Sequence, residues 1–333
     1  MRNVGAAICL FFLAPLVAEY LLGDIPLSNL GAMVALAPMY GGGALLIREL
    51  VRRTRRGWPT FLLLALAYAA MEEALLTQSL FNPHFMGFDL LGYGYIPALG
   101  TALPWLIYVL GIHVIWSMAV PIGLTEALFP APEQKPWLGR IGLCIAVLLL
   151  VVGGTTVALF QRQGDPFRNS PTQIAVSLLL IALLVIAAFR LPRPAPATSP
   201  QPAPAASVGP AAALLGSTLL LVYSLGKGRA WPWPATASAE LIAVGLLILL
   251  FWWSTRIRTW TPMTAWGAAA GGVLVYAAYG YVIQHAFGHD YDMIGHSVLV
   301  GLFVLLTLGA GFKVGRRRLA AANVAAAGAL SVM

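Results

Sequence analysis

Between residues 5 and 312 the chain reads as a succession of apolar runs, each close to the length that carries a helix across a bilayer. A spanning helix needs about 20 mainly apolar residues. Ten stretches qualify: 5–22, 29–50, 58–80, 98–126, 139–160, 172–189, 211–226, 237–254, 264–285 and 292–312. Only 10% of the 333 residues are charged and 59% are hydrophobic, whereas about a quarter of a soluble domain is charged. The expected fold is all-α, a polytopic helical membrane protein of about ten transmembrane helices. The fourth stretch is long for one span, and Pro104 and Pro121 predict a bend or an extra interfacial turn there.

The loops set the orientation. With a cytoplasmic N-terminus, one side receives fifteen lysines and arginines, including Arg2, Arg52, Arg53, Arg55, Arg56 and the run Arg316–Arg318. The other receives four: Arg162, Arg168, Lys227 and Arg229. This bias predicts that both termini are cytoplasmic, in a bacterial inner membrane. The same distribution explains the formal charge of +8 without a nucleic-acid partner; membrane lipid is the expected surrounding. Cys9 and Cys144 both lie in apolar runs and form no Cys-x-x-Cys pair, so neither a disulfide framework nor a thiolate metal site is expected.

The Pro/Ala-rich segment 191–210 predicts an extended linker, partly polyproline II. It divides the chain into a six-helix bundle, 1–190, and a four-helix segment, 211–333. Gly267-x-x-x-Gly271, Ala268-x-x-x-Gly272 and Gly41-Gly-Gly43 predict close helix packing, with a broken helix as the alternative at Gly41–Gly43.

A charged side chain inside the hydrocarbon is expensive unless neutralised, paired or hydrated, so each one is a functional candidate. Those read from the sequence are Glu19, Glu72, Glu73, His113, Glu126 and His296, with Arg48 and Glu49. At about 1.5 Å rise per residue, Glu19, Glu72, Glu73, His113 and His296 fall in the middle and outer half of the membrane, where they can share one cavity. Arg48, Glu49 and Glu126 fall near the cytoplasmic boundary, where snorkelling or pairing explains them. Glu72, Glu73, His113 and His296 are thus the candidate catalytic residues. Adjacent helical positions are about 100° apart, which predicts that Glu72 and Glu73 point differently: Glu72 toward the face of Tyr68 and Ser79, Glu73 toward that of Thr77. One would face a cavity and the other be held by neighbours.

The loop 82–97 is aromatic and glycine-rich, and reads either as a lid over that cavity or as an interfacial loop. A third constellation, His285-Ala-Phe-Gly-His289-Asp-Tyr-Asp-Met-Ile-Gly-His296, places His285 and His289 at a metal-compatible spacing, with Gly288 as a break between them. No cofactor is identifiable, since the sequence has no P-loop, no Gly-x-Gly-x-x-Gly and no Gly-x-Ser-x-Gly elbow.

Glu72-Glu73 on one membrane helix followed by His113 on the next resembles the CAAX-protease and bacteriocin-processing family of helical membrane proteins. Its pattern is Glu-Glu-x-x-x-Arg, then Phe-x-x-x-His, then His-x-x-x-Asn or Asp. The resemblance implies a glutamate and a histidine that activate water against a peptide bond. It departs from the pattern at Thr77, where the arginine should stand, and at Val109, where the phenylalanine should. The third motif has no counterpart, because Met293 and Val300 follow His289 and His296 at its spacing. The chain is also similar to unannotated ten-helix proteins of high-GC bacteria.

Four functions remain open to the sequence. The cluster can serve an intramembrane hydrolase, a proton-coupled transporter of a small apolar or amphipathic molecule, a lipid- or isoprenoid-modifying enzyme, or a structural protein that uses the carboxyls as interhelical glue.

Overall fold

The computed structural model describes residues 3–129, 135–193, 198–229 and 231–330, with no account of the side chains of 321, 322 and 324–330. Arg2 and positions 194–197 of the expected linker lie outside the described residues.

Among the described residues ten long helices follow one another: α1 (Val4–Tyr20), α2 (Leu30–Arg53), α3 (Trp58–Leu76), α4 (Leu103–Leu128), α5 (Arg140–Gly164), α6 (Pro171–Arg190), α7 (Ala205–Gly228), α8 (Trp233–Ile257), α9 (Pro262–Ala286) and α10 (Met293–Leu330). Among the described residues nine of these helical segments, α2 to α10, are long and apolar enough to cross a membrane, and α1 is shorter. Local chemistry starts them. The Asn3 side chain accepts from the Ala6 amide at the head of α1, and Ser170 with Gln173 and Thr261 with Thr264 form capping boxes on α6 and α9. Pro59, Pro171, Pro234 and Pro262 occupy first turns, where a missing N–H costs nothing. Pro104 also lies in a first turn, because α4 begins at Leu103. Residues 98–102 belong instead to a turn and a short antiparallel pair, β1 (Tyr95–Ile96) with β2 (Thr101–Ala102).

Burial sorts the helices into an interior and a surround. The apolar stretches of α2, α3, α4 and α9 are 56–61% buried, against 11–28% for α5, α6, α7, α8 and α10. Helix α1 packs on α2 and α4, and α9 packs on α4, α7 and α10. The outward side chains of α5 and α6, such as Ile141, Leu148, Leu179 and Leu183, are exposed, as expected where lipid is the solvent.

Glycines set the closest approaches. A Cβ at Gly41 would stand 2.2 Å from the Phe11 carbonyl of α1, at Gly42 2.8 Å from the Leu150 amide of α5, and at Gly43 2.4 Å from the Tyr68 ring of α3. Three consecutive residues of α2 thus face three different helices, and α2 is not broken there. On α9, a Cβ at Gly271 would meet the Gly209 carbonyl of α7 at 2.3 Å. Helix α7 starts at Ala205, within the expected linker, and the residues before it are pinned: the Ala203 amide donates to the Thr259 carbonyl and Thr259 donates to Gln201.

Among the described residues five helices contain a π-helical turn: Leu16–Tyr20 in α1, Ala37–Gly41 in α2, Glu72–Leu76 in α3, His113–Ala119 in α4 and Trp253–Ile257 in α8. Pro15 precedes the first, Pro38 lies in the second and Pro121 follows the fourth. A proline lacks an N–H and its ring crowds the carbonyl one turn back; a wider turn accommodates both.

Candidate functional site

The first four π-helical turns carry five polar residues that meet in the interior. Glu19 is in the turn of α1, Tyr40 in that of α2, Glu72 and Glu73 open that of α3, and His113 opens that of α4. Single π-turns recur at functional sites because an inserted residue re-aims its neighbours.

The geometry is tightly connected. Tyr40 is hydrogen-bonded through its hydroxyl to Glu19 Oε1 and to Glu72 Oε1. A hydroxyl has one proton to give, so for both contacts to be hydrogen bonds one carboxyl must bring its own. His113 Nδ1 donates to the Val109 carbonyl at 2.8 Å. This turns Nε2 toward Glu73 Oε1 at 3.2 Å, Glu72 Oε1 at 3.4 Å and the Tyr40 hydroxyl at 3.4 Å. Glu72, Glu73 and His113 are 1%, 5% and 7% exposed.

Both glutamates therefore reach the same nitrogen, contrary to the straight-helix expectation. The wide turn that starts at Glu72 and the length of the two side chains close the angular gap. Ser79 also belongs to Glu73 rather than to Glu72. The helix ends at Leu76, Gln78 takes a positive φ of 62°, and the chain folds back so that Ser79 and Thr77 both donate to Glu73 Oε2. Asn169, in the loop between α5 and α6, donates through Nδ2 to the Ala74 carbonyl, which the end of the helix leaves without an intrahelical partner. Glu73 has its outer oxygen clamped, whereas Glu72 Oε2 is buried and without a hydrogen-bond partner.

His296 does not join this group by any hydrogen bond. It lies between α9 and α10, against Gly280 and edge-on to the Tyr281 ring at 4.8 Å, with neither ring nitrogen hydrogen-bonded. His285 is on the surface, with Nδ1 3.1 Å from Asp290 Oδ1. His289 follows the break at Gly288, whose φ is +71°, and stands 3.4 Å from the Gly23 carbonyl. Arg48, Glu49 and Glu126 form a separate buried network with Arg52 and Arg53: Arg48 to Glu49 at 2.9 Å, Arg48 to Glu126 at 3.1 Å and Arg52 to Glu126 at 2.6 Å. The 82–97 loop packs Leu90 and Leu91 under Phe85 and Trp105, and Tyr93 donates to the Trp231 carbonyl. It thus ties the ends of α4 and α8 together.

Among the described residues, Glu72, Glu73 and His113 form a group with metal-ligand spacing, one donor atom from each lying within 4.8 Å of the others. Two functional candidates escaped the sequence reading. Tyr40 bridges Glu19 and Glu72 but carries no charge at neutral pH, so a search for charged groups passes over it; its flag is the adjoining Gly41–Gly43. Glu240 lies inside α8, fully buried, with both oxygens unpartnered. As an acidic residue within an apolar span it satisfied the rule applied to the others.

Over residues 8–332 the chain matches an uncharacterized membrane protein family. It belongs to that family. Among curated proteins and among solved structures, nothing matches it. The family places the protein in a membrane; it supplies no reaction, and the likeness to CAAX proteases rests on Glu72, Glu73 and His113 alone.

Proposed function

We propose that the protein is an intramembrane hydrolase in which Glu72 is the general base. The observation that carries this reading is the free Glu72 Oε2, beside a histidine whose tautomer is set by Val109. A buried carboxylate oxygen with no partner is where a water would hydrogen-bond and lose its proton. His113 Nε2, when protonated, donates to the oxygen that gains charge as water adds to a carbonyl, or to the leaving group. Glu73, clamped by Ser79 and Thr77, holds the imidazole in place. The partial likeness to glutamate-dependent proteases favours a peptide bond as the target, and the low dielectric strengthens each of these interactions.

The test compares membrane and secreted proteomes of a deletion strain complemented with wild type, Glu72→Gln or Glu73→Gln. New protein termini that depend on wild type and vanish in Glu72→Gln are expected. Identical termini in all strains, with the variants present at wild-type levels, would sink the reading.

A second reading, a proton-coupled carrier, has its own observation: Glu19, Tyr40, Glu72, His113 and Glu73 make contacts in series across four helices. Proteoliposomes whose internal pH stays constant under an imposed gradient, with wild type and Glu72→Gln alike, would remove it.

A further inference from the structure

The Glu72, Glu73 and His113 trio has a geometry that a water-activating carboxylate does not by itself require. A cation bound to nitrogen and oxygen at about 2.0–2.2 Å in a tetrahedron holds its ligand atoms about 3.3 Å apart. The two distances from His113 Nε2 to the carboxylates are 3.2 and 3.4 Å. We propose that these three residues bind one first-row divalent metal ion, Zn²⁺ or Mn²⁺, through one atom each.

Three further features support the site. His113 and Glu73 are each oriented through their other atom, His113 by the Val109 carbonyl and Glu73 by Ser79 and Thr77, while Tyr40 fixes Glu72 at the oxygen nearest the imidazole. Such outer partners fix tautomer and direction in metal centres. Glu72 Oε2 is buried and unpartnered, so a donor remains for an ion. Charge closes as well, since two carboxylates and a neutral imidazole sum to the opposite of a divalent cation. That neutrality matters where an uncompensated charge is expensive. The donor set of two oxygens and one nitrogen suits Zn²⁺ or Mn²⁺ rather than copper(I). Three protein ligands leave at least one position for water or substrate.

The binding stands apart from the hydrolase reading, and the experiment separates them. Full-length protein in nanodiscs is stripped with EDTA and incubated with Zn²⁺ or Mn²⁺, and the metal retained per chain is counted after gel filtration. One ion per wild-type chain is expected, with affinity at least about tenfold weaker in Glu73→Gln and in His113→Gln. His285→Ala and His289→Ala should retain it. A Co²⁺-loaded wild-type sample, which needs no variant to fold, should show the visible spectrum of nitrogen and oxygen ligands without a thiolate charge-transfer band.

Wild type that retains no ion overturns the proposal. So does retention unchanged in both Glu73→Gln and His113→Gln, or lost in His285→Ala, which would move the ion to the outer turn. If an ion binds but no termini depend on Glu72, the site stands and the hydrolase reading falls. If no ion binds and cleavage persists in chelator, the reverse holds.

Discussion

His113 Nε2 stands 3.2 Å from Glu73 Oε1, across the contact between α4 and α3 and well inside the bundle. Each residue is held from behind, one by the Val109 carbonyl and the other by Ser79 and Thr77. Ser79→Ala should therefore disturb the pair without removing it. A clamp lost on Glu73 is expected to lower any Glu72-dependent activity about tenfold while the thermal melt stays near wild type. The check is the terminus assay run beside a thermal-shift measurement; unchanged activity would show that the clamp has no functional weight.

Tyr40→Phe removes the hydroxyl that bridges Glu19 and Glu72. Each buried carboxyl then loses a partner in a place where water is scarce. A cost of about 1–3 kcal/mol is expected, read as a lowered unfolding midpoint in detergent. Tyr223→Phe is the control, because the Tyr223 hydroxyl is buried and makes no hydrogen bond. Equal effects from both would assign the loss to ring packing rather than to the bridge.

At the other end of the bundle, Glu126 accepts from Arg48 and Arg52, and Arg48 is 1% exposed. Glu126→Gln leaves a buried guanidinium undercompensated, although Glu49 still faces it at 2.9 Å. Breaking a buried pair costs about 3–5 kcal/mol, and the surviving Glu49 contact puts the expectation at the lower end. Replacing Arg52, which is more exposed, should cost less; the reverse order would contradict the burial argument.

Asp24 lies in the turn after α1, outside the spanning segments. Burial, and then the nearby Glu19 carboxylate, push its carboxyl well above its ordinary 3.8. Its contribution to stability is therefore fully present below about pH 3.8 and is lost as pH rises through the folded-state value. Asp24→Asn should remove that slope and raise the midpoint at pH 7 relative to wild type. Midpoints measured from pH 4 to 8 decide it, and parallel curves for the two proteins would refute the assignment.

The sequence carried the helices more fully than the site. Spans were legible because lipid demands continuous apolar length, and the ten runs match ten helices. Depth put Glu19, Glu72, Glu73 and His113 at one level, and Tyr40 and the imidazole are what join them. The pointing of Glu72 and Glu73 was not legible, because the 100° step of a regular helix does not hold where the chain makes a wider turn. Pro15, Pro38 and Pro121 mark three of those turns, but nothing in Glu72–Leu76 announces the fourth. His296 lies at an appropriate depth yet on another interface, since depth says nothing of direction around a helix. Thr77, where the family likeness wanted an arginine, is a partner of Glu73.

Glu240 offers a final test of how carboxyls are tolerated in this bundle. It faces α7 at the level of Tyr223: a Cβ at Gly226 would meet Thr236 at 2.3 Å, and antiparallel packing then sets Glu240, one turn beyond Thr236, beside Tyr223, about one turn before Gly226. Both Glu240 oxygens and the Tyr223 hydroxyl lack partners. A buried polar group without a hydrogen bond costs about 1–3 kcal/mol, so Glu240→Gln should be neutral and Glu240→Leu stabilising by about 1 kcal/mol or more. Both are read from the unfolding midpoint in detergent. If Glu240→Leu instead destabilises while Glu240→Gln does not, the carboxyl has a polar partner in the folded protein, and α8 contributes a second site.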